Sequence, residues 1–442
     1  MLKSFGDIFK IPELKNRVLI TLGILAVYRL GAAIPIPGVN AAALRSLFEA
    51  HRNSLLGFMD MFSGGALNRF SIFSLGIMPY INASIIFSLL QGAHLIPYLD
   101  RLATEGELGR KKINQLTRYA TLILGAIQAF GLAIAVSKMP APGGLPIVTN
   151  PSAGWLFLTV LTLVTGTIFI MWLGEQITEF GVGNGISLMI FTGIVDRFPA
   201  AVKDVFRLLH LEELSILVVL AVLVLVVVVT ALVVWIETAQ RKIPVQYAKR
   251  VVGRRMYGGA STFLPLKVDQ SGVIAVIFAV SLLSAPMMIA QFFPTASWAQ
   301  FFVSWWSRGT IIYEIIYGLL IIFFCYFYNS VAFNPQDLAE NMKKWGGFIP
   351  GIRPGQPTAQ YIQKVLERIT LGGAIFVAMV AILPDYLRRW LNVPFYFGGT
   401  SLLIVVGVAL DTISQLESHL IMRHYEGFLG SSRVKGRWFN IR

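Results

Sequence analysis

An all-α integral membrane fold of about ten transmembrane helices is what this sequence predicts, and three observations carry the prediction. Of 442 residues, 55% are hydrophobic and only 14% charged, with a mean hydropathy of +0.68, whereas soluble domains carry about 25% charged residues. A soluble chain this apolar would expose large greasy patches. Ten runs are long and apolar enough to cross about 30 Å of hydrocarbon, near 17–34, 72–95, 117–137, 154–174, 184–202, 214–236, 271–293, 310–332, 367–387 and 396–416. Lys and Arg then gather in alternate connecting segments, the distribution that holds loops on the cytoplasmic side.

Taken in order, the first run follows Lys3, Lys10, Lys15 and Arg17 and lacks a small-residue cleavage pattern, so it reads as a retained span rather than a signal peptide. The clearest run, Leu214 to Ile236, holds no charge at all. Basic residues mark the segment around Arg110, Lys111 and Lys112, the segments 237–270 and 334–366, and the tail. The segments 138–153 and 294–309 carry almost none, and 175–183, with Glu175 and Glu179, breaks the alternation. An even span count puts both termini in the cytoplasm. The expected organisation is an N-terminal half (1–202), span six with a basic loop (203–270), spans seven to ten with a second basic loop (271–416), and a cytoplasmic tail (417–442). Ten spans divide into two five-helix halves, as in many transport folds, although no residue-level self-similarity is visible.

The net charge of +14 and the pI of about 9.9 would suggest nucleic acid in a soluble protein. Here the charge belongs to the loops, and no DNA partner is expected. Segment 237–270 holds Arg241, Lys242, Lys249, Arg250, Arg254, Arg255 and Lys267, and 334–366 is punctuated by Gly346, Gly347, Pro350, Gly351, Pro354, Gly355 and Pro357. Glycine and proline at that density force turns, and projecting basic loops suit a large anionic partner. The single Cys325 excludes a disulfide framework. His51, His94, His210, His419 and His424 lack metal-ligand spacing. No metal, cofactor or catalytic constellation is expected. Gly181, Gly183 and Gly185 lack the Gly-Lys-Ser/Thr ending of a phosphate loop.

Between the first two spans, Leu55 to Leu75 reads as a short, glycine-broken, half-apolar helix. On pattern alone an amphipathic surface loop is the plainer reading; a re-entrant segment buried by other helices is the alternative. The wording of the chain decides between them. Asp60-Met61-Phe62-Ser63-Gly64-Gly65-Ala66-Leu67, followed by Gly76-Ile77-Met78-Pro79-Tyr80-Ile81, resembles the plug and second helix of the SecY/Sec61-alpha family. Further matches follow in family order. They are Arg29-Leu30-Gly31 with Ile34-Pro35-Ile36-Pro37-Gly38, Glu105-Gly106-Glu107, and Met171 to Glu179 with Gly183-Asn184-Gly185-Ile186-Ser187. Tyr247-Ala248-Lys249-Arg250, Pro350 to Gly355 and Val393 to Ile404 complete the set, which covers nearly the whole chain. Two positions depart from the family pattern: Ala275, where proline is frequent, and Lys242, where arginine is.

The resemblance implies an hourglass pore that passes unfolded preproteins across a bacterial cytoplasmic membrane and releases apolar segments sideways. It implies a ring of Ile77, Ile81, Ile186, Ile190, Ile277 and Ile404, a plug helix of Met59, Asp60, Met61, Phe62, Ser63, Gly64, Gly65, Ala66 and Leu67, and a lateral gate between spans two and three and spans seven and eight. Gln128 in span three would tune that gate, or simply make an interhelical hydrogen bond. Arg250, Arg254, Arg255 and Arg353 would dock a ribosome or the SecA motor, with salt-sensitive binding in the ribosomal case. SecE, SecG, preprotein signal sequences and membrane lipids complete the implied partners, and any ATPase activity would reside in a partner.

Three rivals stand beside this reading. An ion-coupled solute transporter would place paired ionisable groups at mid-membrane, whereas Arg29, Glu314 and Asp411 lie near predicted span ends, where snorkelling suffices. An intramembrane enzyme would show a Ser-His, HExxH or paired-aspartate arrangement within the spans. An accessory paralogue devoted to a few exported substrates is the nearest rival.

Overall fold

The computed structural model describes residues 11–40, 43, 44, 46, 48, 60, 63–93, 95–138, 146–148, 150–211, 215–247, 250–252, 255–257, 261–291, 296–297, 310–391 and 399–431. Expectations for Met59, Met61, Phe62 and Arg254 fall outside these residues.

The chain is a bundle of helices that runs back and forth between two ends. It contains α1 (Pro12–Ala33), α2 (Met78–Gly92), α3 (Pro97–Thr104), α4 (Glu107–Lys138), α5 (Ala153–Phe180), α6 (Gly185–Val195), α7 (Phe198–His210) and α8 (Ile216–Thr238). Strands β1 (Gln240–Tyr247), β2 (Arg250–Val252), β3 (Arg255–Tyr257) and β4 (Ser261–Lys267) follow. The remainder is α9 (Val273–Gln291), α10 (Ile311–Ala332), α11 (Pro335–Lys344), β5 (Gly347–Phe348), α12 (Gln356–Leu391) and α13 (Gly399–Ser431). Among the described residues, eight stretches are long and apolar enough to cross a membrane: α1, α4, α5, α6 running into α7, α8, α10 running into α11, α12 and α13. The two remaining expected spans coincide with shorter helices, α2 and α9.

Local sequence sets these boundaries. Proline occupies the first turn of α1, α2 and α3, where its missing N–H costs nothing. Side chains cap α5 and α6: Ser152 Oγ accepts from Trp155 N at 3.2 Å, and Asn184 Oδ1 accepts from Ile186 N at 3.1 Å. Ahead of α9, Asp269 Oδ1 accepts from Gly272 N at 2.8 Å and Ser271 Oγ at 2.9 Å.

Four expectations are corrected. The second span does not begin at 72: residues 72–77 are turns, with Gly76 at φ +57°, and the helix starts at Met78. The fifth breaks at Asp196-Arg197, where Pro199 restarts the chain as α7. The tenth runs on from its expected end near 416 to Ser431. Nor are the basic loops merely turns. β1 pairs antiparallel with β4, from Gln240↔Lys267 to Gln246↔Ser261, and with β5 through Gln246↔Phe348. One small sheet thus joins segments 237–270 and 334–366, over a core of Ile243, Val245, Leu266, Met342, Ile349, Ile362 and Leu366.

Helix packing sets the frame for the site. α4 lies against α2 and α5; α10 lies against α9 and α12; α13 touches α6, α8, α9 and α12. α9 also packs on α2 and α4. Small residues let backbones approach, as expected where lipid supplies no hydrophobic drive between helices. A Cβ on Gly166 of α5 would lie 2.0 Å from Ile72 O.

Substituting Gly166 by Leu should therefore lower the thermal unfolding midpoint in detergent, by roughly 1–3 kcal/mol of lost stability. Gly23→Leu, at a position with nothing within 4 Å of the added Cβ, should shift it little. Labelling of the single, buried Cys325 by a thiol-reactive fluorophore reads both.

Candidate functional site

Four helices converge at the centre of the molecule. The N-cap of α2 brings Ile77 and its second turn Ile81, α6 brings Ile186 and Ile190, α9 brings Ile277, and α13 brings Ile404. Five of the six are no more than 6% exposed and belong to one continuous apolar cluster. Ile186 sits at its margin: it is partly buried and leans on α5, with its Cγ1 3.3 Å from where a Cβ on Gly174 would stand. The pairs Ile77/Ile81 and Ile186/Ile190 are spaced by four, so each shares a helix face. Branched aliphatic side chains without hydrogen-bonding groups keep such a centre dry.

One side of the centre is roofed by the chain between α1 and α2. Ala66 and Phe73 are buried in the same cluster as the isoleucines. From Ser63 onward this segment is a series of turns rather than the expected helix, because Gly64 and Gly65 adopt φ of +65° and +78°, a region that glycine enters freely. Polar contacts hold it. Asn68 donates its backbone N–H to Asp60 Oδ1 at 2.8 Å and its side-chain amide to Oδ2 at 3.3 Å. Ser63 Oγ donates to Asp60 O at 3.0 Å, Arg29 Nη1 donates to Gly64 O at 3.0 Å, and Tyr28 OH donates to Ser63 O at 3.3 Å. Asp60 also pairs with Arg197, and Arg29 with Asp196. Burial pushes the Asp60 carboxyl above the usual carboxylate range, while the Arg197 guanidinium and the Asn68 amide pull it back.

The Arg29 pairing corrects the expectation of a snorkelling cation. Glu314 is likewise buried instead of snorkelling; it stands in the first turn of α10, where the helix dipole favours an acid. Asp196, Arg197 and the bidentate Arg118–Glu175 pair, at 2.8 Å on both arms between α4 and α5, are polar features that sequence reasoning missed. An Asp-Arg dipeptide ending an apolar run is the signal that was available.

The seam between α9–α10 and α2–α4 is closed. Ser281 Oγ lies 3.8 Å from Met78 Sδ, and Gly92 of α2 leaves room for Phe327 and Val331 of α10. Gln128 is on α4, half-buried, and its buried Oε1 has no hydrogen-bond partner among the described residues. At the end carrying the sheet, β2 and β3 form a hairpin with Arg250 opposite Tyr257 and Arg255 opposite Val252. Arg353 lies across from it in sequence, on the other basic loop. The residue is exposed while its carbonyl accepts from Thr358 Oγ1 at 2.8 Å, so a backbone anchored at this point presents an exposed cation.

Comparison with known proteins identifies the family and the fold. The SecY family model matches residues 71–413. The protein translocase subunit SecY of Escherichia coli (strain K12) is 48% identical over 427 residues, covering 96% of each chain. Its counterpart in Thermotoga maritima is 43% identical over 446 residues, covering 99% of this chain and all of that protein. Among solved structures, a protein-conducting channel superposes with a TM-score of 0.66 at 18% identity, over 98% of this chain and 99% of the other. Sec61 from a canine ribosome-channel complex gives 0.61 at 17%, with the same coverage.

Replacing Gln128 by Leu removes a buried amide oxygen that has no partner among the described residues. The variant should unfold at a higher temperature, with about 1–2 kcal/mol of added stability, by the Cys325 labelling assay. A lower midpoint would mean that the amide makes a bond worth keeping.

Proposed function

The chain belongs to the SecY family of protein-translocase subunits, and from that premise we propose how its geometry passes a polypeptide while holding back ions. The observation that carries the proposal is the dry isoleucine cluster drawn from four helices and roofed by the clamped 60–76 segment. Ile77, Ile81, Ile186, Ile190, Ile277 and Ile404 form the ring at the waist of the pore. Water leaves so narrow an apolar constriction, and no fixed charge invites an ion into it. The segment around Asp60 to Leu67 acts as the plug. When a chain arrives, the plug moves aside and the side chains of the ring close around the passing polypeptide.

Sideways release runs along the seam where α9 packs on α2 and α4, with α10 beside α2. An apolar segment leaving through it gains roughly 0.3–0.6 kcal/mol per central Leu, Ile, Phe or Val. Gln128 beside this seam, whose amide oxygen has no partner among the described residues, tunes the balance between closed and parted helices. The two halves of five expected spans each, α1 to α7 and α8 to α13, are the bodies that part.

The sheet-bearing end faces the cytoplasm, together with both termini, as the concentration of Lys and Arg on its loops supports. Arg250, Arg254, Arg255 and Arg353 dock the driving partner: the SecA motor, or the ribosome through phosphate contacts. SecE and SecG complete the complex, and the energy comes from the motor or from translation, since the subunit is a passive channel of the bacterial inner membrane.

Proteoliposomes containing this chain with SecE, given SecA, ATP and a signal-bearing preprotein, test the reading. Protease-protected product should form, and Arg353→Glu should reduce it by about tenfold or more, the effect of losing one well-placed charged contact. Product unchanged by the variant would move motor docking elsewhere. No product from the unaltered chain, with SecA otherwise active, would count against the channel role itself.

A further inference from the structure

The roof over the isoleucine cluster is fastened by four charges from three separate parts of the chain. Asp60 comes from the segment between α1 and α2, Arg29 from α1, and Asp196 and Arg197 from the corner between α6 and α7. Each of the two adjacent corner residues holds a different element: Arg197 grips the roof through Asp60, and Asp196 grips Arg29. Arg29 then reaches the roof itself through Gly64 O at 3.0 Å. The approach is close, since a Cβ on Gly64 would stand 3.1 Å from Gly193 Cα and 3.3 Å from Arg29 Nη1.

Asp60 is 4% exposed, and within its own segment its side chain is held by Asn68, eight residues along, and by the Leu67 backbone. A carboxylate so deeply buried is tolerable only with its counter-charge in place. Its pairing with Arg197 adds a charged contact to the hydrogen bonds from Arg29 and Tyr28 that hold the seated segment to other parts of the chain. Apolar contacts there lose much of their attraction within an ångström of separation, and the ion pair adds a charged contact across the same boundary that must also be broken when the segment lifts.

We infer that Asp60–Arg197, braced by Arg29–Asp196, is a latch that sets how readily the roof segment unseats, and hence how strong a signal sequence must be to open the channel. The inference rests on reading that segment as the plug. These four are positioning residues: they touch the seal, not the passing chain.

A double-mutant cycle tests the latch. Complexes carrying the native chain, Asp60→Asn, Arg197→Gln, both substitutions together, or a deletion of residues 60–70 are placed in planar bilayers. Resting ion conductance is read first. Transport of a preprotein with a shortened apolar signal is then measured in proteoliposomes. Asp60→Asn is nearly isosteric, and Cys325 labelling checks that each variant is folded. Arg29→Gln, which breaks the bracing pair, is a second route should Arg197→Gln fold poorly. Each single substitution should raise both readouts by about tenfold, the consequence of a pair worth 1.4 kcal/mol in the seated state. The double variant should add little beyond either single one, because the two residues act as a unit. Full additivity, or single variants indistinguishable from the native complex while the deletion leaks, would overturn the latch and leave the plug reading intact. A deletion that does not leak would overturn both.

Discussion

The structure depends on a contact that must be tight at rest and separable on demand. Where α2, α6, α9 and α13 meet, the proposed seal consists of branched aliphatic side chains, which have no group to make a directional bond. Each pair of carbon atoms in contact gains only about 0.1–0.2 kcal/mol, so the seal is strong collectively and has no single bond to break. A dry core also needs no counter-charge when it parts around an arriving chain, because the newcomer supplies fresh surface.

The remaining elements are joined by contacts of different kinds. The seam between α9 and α2 is joined by a weak sulfur contact at Met78 and by close packing at Gly92, both compatible with helices that separate. By contrast, α4 and α5 are tied by the bidentate Arg118–Glu175 pair, and α6 is tied to α13 through Gly183 N, which donates to Gln415 Oε1 at 3.0 Å. Directional bonds thus occur both among the N-terminal helices and across to α13, whereas the contacts found along the seam of α2 with α9 and α10 are a weak sulfur contact and apolar packing. The sheet built from β1, β4 and β5 joins two loops over a core of their own, giving the docking end rigidity independent of the seam.

How much of this could be read from the residues depends on the range of the interaction. Spans such as Ile216–Thr238, with a mean hydropathy of 3.6, declare themselves because the bilayer acts on every residue of a run. The sheet did not. In β1 only Ile243 and Val245 are buried, among Arg241, Lys242 and Pro244, so two inward positions were hidden by charge and proline. The start of α2 at Met78 was obscured because the apolar run continues unbroken through turns whose only markers are Gly76 and Pro79. The six isoleucines gained meaning through the family pattern; composition alone could not separate them from the many others. The latch was least legible: Asp60 and Arg197 stand 137 positions apart, and an isolated arginine near a span end has snorkelling as its ordinary explanation. Only the fold makes them neighbours.

The most direct test of a path through the isoleucine centre is to arrest a preprotein midway and ask what it touches. In a Cys325→Ser background, single cysteines would be placed at Ile404, at Ile81 and at the outward-facing Leu217 of α8, which is 75% exposed. A preprotein with one cysteine at its arrested midpoint would then be oxidised against each. Disulfides to positions 404 and 81 and none to 217 are the predicted result. Equal or preferential crosslinking at 217 would contradict a central path and relocate the route to the lipid-facing side of the bundle.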